Sequence, residues 1–168
     1  MLKKIALFVF MFALSIGAMA QIKFGHMNSQ QVIVTMPEYT KAQADMDALS
    51  KKYNQEMQRT QDEFNKKLQE YQASADSLPK NISERRQKEL QDMAQRQEQF
   101  QQEAYQSMQK AQQEAMAPIY KKLDDAIQAV GKAEGLIYIF DIARTPIPYV
   151  GTQSEDVTAK VKTQLGVK

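Results

Sequence analysis

Cysteine is absent from the chain, tryptophan is absent with it, and histidine occurs once. The missing cysteine excludes disulfides, thiolate metal ligands, thiol nucleophiles and lipid attachment through sulfur. His26, in the stretch FGHMN, has no second histidine or cysteine with which to form a dyad. It reads as a partly buried polar residue at the end of a strand. The acidic pairs Asp62-Glu63 and Asp124-Asp125 are chain neighbours, so their side chains diverge around a helix and do not converge on a cation. The six glycines are scattered, and none of their spacings builds a phosphate-cradling loop. An enzyme is not expected, nor is a cofactor or a metal.

Long apolar runs are also missing after the first twenty residues. Lys3 and Lys4 precede an almost unbroken apolar stretch, Ile5 to Leu14, and Ala18-Met19-Ala20 supplies a small-x-small cleavage pattern. Residues 1–20 therefore read as a secretory signal peptide, cut before Gln21. The full chain carries 22 Lys+Arg and 20 Asp+Glu; losing Lys3 and Lys4 leaves a formally neutral mature protein. Attraction to a charged partner must then come from local patches, and nucleic acid is not an expected ligand.

What the chain does contain is helix-forming sequence. Residues 37–117 have no glycine and are rich in Gln, Glu, Lys, Arg, Ala and Met. One apolar seam runs Ala42, Met46, Leu49, Tyr53, Met57, Thr60, Phe64, Leu68, Tyr71, Ala75, Leu78, which is 36 residues in ten steps, a mean of 3.6. A second runs Leu90, Met93, Gln97, Phe100, Ala104, Met108, Ala111, Ala115, Ile119, Leu123, with a mean step near 3.67. Neither spacing imposes a tight left-handed supercoil. The single break is Pro79, which lacks a backbone donor and biases Leu78 away from helix. Asn81 or Ser83 is expected to cap the new helix. Two halves of matched length, each with a seam, predict an antiparallel hairpin over residues 39–117, with its tip near 78–83. Thr60 and Gln97 interrupt an already thin seam, so the arm should be flexible. Pro118 should bend or loosen the returning helix.

Residues 21–38 and 118–168 read as a small β-rich oligomerisation body. Ile22, Phe24 and His26 alternate as a strand; LIYIFDI (136–142) and IPYVG (147–151) are further strand candidates. TQSEDVTAKVKTQL then reads as a terminal helix with Val157, Val161 and Leu165 on one face. A sheet of so few strands is barely self-sufficient, which points to association of copies. The fold class is mainly α with a small β body.

Two sets of side chains are candidates for binding. Met46, Tyr53, Met57, Phe64, Tyr71, Met93, Phe100, Tyr105 and Met108 belong to the seam or form an adaptable apolar lining for client segments. Lys80, Arg85, Arg86 and Lys88 surround one acid, Glu84, at the tip: either a solvated end or a contact for anionic lipid or an acidic client segment.

In their order, an initial strand (IKFGHMNSQQVI), a proline-started helical hairpin, APIYKKLDDAIQAVGKAEGLIYIFD and a terminal SEDVTAKVKTQL, these features resemble the Skp/OmpH family of periplasmic chaperones. The likeness covers essentially the whole mature chain. It implies a homotrimer, in which coiled-coil arms project from a small β-rich trimerisation body and enclose a cavity. It also implies an ATP-independent periplasmic holdase that keeps unfolded outer-membrane proteins from aggregating before barrel assembly. Family members are often strongly basic, whereas this mature chain is formally neutral and rich in glutamine, which shifts weight from charge to the apolar lining. The alternatives are a structural coiled-coil spacer or scaffold of the cell envelope, and a protein that binds membrane surfaces through its basic tip.

Overall fold

A computed structural model describes residues 22–167; the expected signal peptide lies outside the described residues. The elements are β1 (Phe24–Met27), α1 (Ser29–Ile33), α2 (Pro37–Ser74), a short 3-10 turn (Ala75–Ser77), α3 (Lys80–Glu134), β2 (Tyr138–Asp141), β3 (Ser154–Asp156) and α4 (Thr158–Leu165). Contacts divide the chain into two units, one of residues up to Val32 with Asp124 onward, the other Ile33–Leu123.

In the first unit the three strands form a parallel sheet in the order β2-β1-β3. Phe24 stands opposite Tyr138 and Ser154, and His26 opposite Phe140 and Asp156. Parallel neighbours need a crossover connection, and here the whole helical segment lies in the chain between β1 and β2. Period-two alternation sends Gly25 and Met27 to the covered face and leaves Phe24 and His26 on the open one. Met27, Val32, Ala126, Val130, Val157 and Val161 are buried in this unit. Gly25 is tightly enclosed: a Cβ there would lie 2.8 Å from Leu136 Cδ1 and 3.4 Å from both Ile139 Cγ1 and the Glu155 carbonyl oxygen. Gly135, at φ 64°, ends α3 and lets the Leu136 N–H reach the Gly131 carbonyl at 3.0 Å.

Two expectations are corrected in this unit. Residues 147–151 form no strand; Pro146 and Pro148 remove the donors that a ladder requires. The third strand is instead Ser154–Asp156, inside the stretch expected to be all helix. It is held by the ladder to β1, by Val157 N–H donating to the His26 carbonyl (2.9 Å), and by His26 Nδ1 against Ser154 Oγ (3.0 Å). The terminal helix begins only at Thr158, whose hydroxyl and N–H both donate to Asp156 Oδ1. Val157 and Val161 are buried as their spacing predicts. Lys160 bonds both Glu134 (2.7 Å) and Glu155 (2.5 Å), joining the end of α3 to β3 and α4. The Glu134 bond, with Glu155 adding to it, raises the Lys160 pKa above its ordinary value.

The second unit is a pair of long helices. At 1.5 Å per residue, the 38 residues of α2 extend for about 57 Å. Every position of both predicted seams from Ala42 to Leu123 is buried or half-buried. The break behaves largely as proline chemistry requires. Leu78 is extended (φ −81°, ψ 138°), and the hydroxyls of Ser74 and Ser77 turn back to donate to the carbonyls of Glu70 and Ser74. The break between the two α-helices occupies Ala75–Pro79, slightly earlier than expected. Asn81 and Ser83 already lie inside α3 and do not cap it. Pro79, whose fixed φ suits a first helical turn, presents its carbonyl to the N–H groups of Ile82 (2.9 Å) and Ser83 (3.0 Å). Pro118 lies within α3, which continues unbroken to Glu134.

Replacing Gly25 by Val should place two methyls against Leu136, Ile139 and the Glu155 carbonyl. The expected cost is about 1–3 kcal/mol, read as a lowered urea midpoint at fixed protein concentration; an unchanged midpoint would show that this face is loosely packed.

Candidate functional site

The helix pair is built from half-buried side chains, and its cross-helix partners follow one order. Glu38 pairs with Lys122, Tyr53 with Phe100, Gln61 with Gln97, Lys67 with Glu89, and Tyr71 with Gln87 and Ser83. As the α2 number rises, its α3 partner's number falls. Tyr53 and Phe100 pack with centroids 5.9 Å apart and planes tilted by 58°, a favourable aromatic arrangement. At mid-length the seam is polar: Gln97 Nε2 donates to Gln61 Oε1 at 2.7 Å, and Thr60 turns its hydroxyl back to the carbonyls of Glu56 and Met57. Such back-bonding spends a seam position on the helix itself and contributes nothing across the pair.

Of the nine apolar candidates, Met46, Tyr53, Met57, Phe64, Tyr71, Met93, Phe100 and Met108 are half-buried along the pair. Tyr105 stands apart. It is 66% exposed, and Gln109 Nε2 donates to its hydroxyl at 2.8 Å. Two grooves open along the pair. One, of about 400 Å³, is lined by Met46, Met108, Met116 and Tyr39; another, of about 470 Å³, by Met93, Phe100, Thr60 and Gln97. Met116 and Tyr39 were missed because they flank the strict 3.6-residue row and widen it. Their signal was large side chains beside the small seam residues Ala115 and Ala42.

Near the break, Arg85 and Arg86 line a groove of about 240 Å³ with Lys67, Tyr71 and Glu89. The Glu89 carboxyl is held below the usual range, first by its bond from Lys67 and then by the charges of Lys67, Arg85 and Arg86. Lys80 lies 3.9 Å from Glu84 and is exposed. Lys88 is exposed as well.

The sheet unit has its own exposed surface. Phe24 stacks on Tyr138 (6.4 Å, planes 5° apart), and Tyr138 meets Phe140 at 6.0 Å. Beside them a cavity of about 330 Å³ is lined by Phe24, His26, Phe140, Ile147 and Tyr149, the last 80% exposed. The alternations Phe24/His26 and Tyr138/Phe140 carried this face in the sequence, although the pattern reads equally as a buried one. His26 serves here as a cross-strand link. Asp156 spends Oδ1 on Thr158, whose hydroxyl is the main reason its carboxyl lies below the ordinary range. Among the described residues no three acidic or histidine side chains gather as a metal site, and no helix is long and apolar enough to cross a membrane.

Set beside known proteins, residues 23–165 match the family model described as "Outer membrane protein (OmpH-like)". No curated protein matches. A crystal structure from Caulobacter crescentus CB15, described as a candidate outer membrane chaperone (OmpH-like), superposes with a TM-score of 0.75 over 87% of this chain and 85% of that one. At 16% identity this likeness is one of fold.

The cross-helix ion pairs predict a small pH dependence of the pair's stability. Glu38 and Glu89 both have lowered values, caused first by the bonds from Lys122 and Lys67. Their contribution is present above the unfolded glutamate value of about 4.3 and is lost as pH falls through the lowered folded values. Helical melting should therefore weaken with acid in that window, and less so in E38Q/E89Q; equal acid sensitivity in both would show that the pairs do not contribute.

Proposed function

Because the chain belongs to the OmpH-like family, we propose that it is an ATP-independent periplasmic holdase chaperone that binds unfolded outer-membrane proteins and prevents their aggregation before barrel assembly. The observation that carries this reading is the seam. It is long, continuous and built from half-buried methionine, alanine, aromatic and polar side chains, with grooves open along it. Such a surface offers many weak, adaptable apolar contacts and no fixed pocket.

An unfolded barrel carries alternating apolar residues and unpaired strand edges, both aggregation hazards in water. Several weak contacts acting together hold such a chain by avidity, with no energy source. In this reading residues 39–117 are an antiparallel hairpin arm, supported by the descending order of cross-helix partners. Residues 21–38 and 118–168 are the body of a homotrimer. The support for association is the exposed aromatic face of Phe24, Tyr138, Phe140 and Tyr149, apolar area that a soluble monomer rarely presents. Residues 1–20 direct export. Lys80, Arg85, Arg86 and Lys88 at the helix reversal contact anionic lipid headgroups or acidic client segments.

Three measurements test the proposal. An unfolded outer-membrane barrel diluted from urea should scatter less light with the protein present than without it; equal scattering would remove the holdase reading and favour an envelope spacer. Cross-linking should trap a trimer at micromolar concentration, and Y138E should shift it toward monomer; a wild-type monomer would refute the assembly. Neutralising Lys80, Arg85, Arg86 and Lys88 together should abolish salt-sensitive binding to anionic vesicles; unchanged vesicle and client binding would leave the cluster only a solubilising role.

A further inference from the structure

With no cysteine in the chain, methionine is its only sulfur. The described methionines fall into two classes. Met27 and Met36 are 1% and 0% exposed, while Met46, Met57, Met93, Met108 and Met116 are all half-buried on α2 and α3. Three of the five, Met46 and Met108 from facing seams and Met116 beside them, line one water-accessible groove. The rest of its lining is Tyr39, two alanines and three polar residues; it contains no Leu, Ile, Val or Phe. Every large aliphatic side chain in this groove is therefore a thioether. A groove of leucines would be inert to peroxide, whereas this one can lose its aliphatic character by a single kind of reaction.

We propose that Met46, Met108 and Met116 form an oxidant-responsive site that sets both the tightness of the helix pair and its apolar binding capacity. Hydrogen peroxide is the co-reactant. The sulfur lone pair attacks one peroxide oxygen, an S–O bond forms and the O–O bond breaks, and the departing hydroxide takes the proton of the new S–OH group to leave as water. Sulfur is oxidised by two electrons to the sulfoxide, and peroxide is reduced by two. The product is polar and chiral, and it is returned to the thioether by methionine sulfoxide reductases. Met46 and Met108 are also seam positions, so their sulfoxides place strong acceptors where the helices need apolar contact. The effect on the helix pair stands by itself; the effect on clients rests on the holdase reading.

The purified protein is treated with millimolar hydrogen peroxide and followed by peptide mass spectrometry and helical melting. Met46, Met108 and Met116 should oxidise about tenfold faster than Met27 and Met36, because susceptibility follows exposure. The midpoint should fall by about 4 °C or more and recover with the reductases. M46L/M108L/M116L keeps volume and apolarity, so it should melt like the untreated protein and resist peroxide although Met57 and Met93 remain. Equal oxidation of buried and groove methionines, or an equal fall in the triple variant, overturns the proposal. In the barrel-dilution assay, oxidised wild type should suppress aggregation less than untreated, while the triple variant, whatever its own untreated level, should change little on treatment. If untreated wild type suppresses nothing, the holdase reading fails and the melting result still decides this one. If treated and untreated wild type melt alike, this one fails whatever the assay gives.

Discussion

Neither long helix can bury its apolar stripe alone, and the second unit depends on that constraint. Isolated helices gain little from propensity in water; their stability comes from covering one face. Here the cover is thin. Ala42, Ala104, Ile119 and Leu123 are buried, but most other seam positions are methionine, alanine or aromatic side chains left half-open, and the Gln61–Gln97 bond takes the place of an apolar contact at mid-length. Ion pairs between Lys67 and Glu89 and between Lys122 and Glu38 add order at separate points along the pair. Exposed pairs of this kind contribute little to stability. They do distinguish the observed register from its neighbours, because a slip of one turn would separate both.

The same thinness serves function in the reading offered here. A seam packed to interior density would leave nothing for a client. A seam of flexible thioethers and small residues leaves grooves that reshape at low cost, because methionine moves between rotamers without losing contact area. Stability and capacity thus draw on one set of side chains, which is why the oxidation state of three of them bears on both.

The sheet unit solves a different problem with few residues. A three-stranded parallel sheet has two open edges and two faces, and one face turns Met27 inward, with Val32, Ala126, Val130, Val157 and Val161 buried in the same unit. The other keeps Phe24, Tyr138 and Phe140 in mutual contact but exposed. Aromatic side chains aligned across paired strands reinforce the sheet and at the same time offer a ready surface to another copy.

The sequence alone determined the features that rest on local chemistry and periodicity. Both helical seams, the break at Pro79 with Leu78 extended, the strand within 136–142 and the burial of Val157 and Val161 all follow from spacing and from proline's missing donor. Tertiary structure decided what depends on partners distant in the chain. Ser154–Asp156 is polar and carries no strand pattern, yet it pairs because β1 presents a free edge; the more apolar IPYVG does not, because its prolines cannot complete a ladder. Asn81 and Ser83 looked like caps, but Pro79 starts the helix and Tyr71 occupies the Ser83 hydroxyl. Tyr105, which composition grouped with the apolar candidates, falls off the stripe by one residue and faces solvent. Spacing says which residues share a face; only the folded chain says what that face meets.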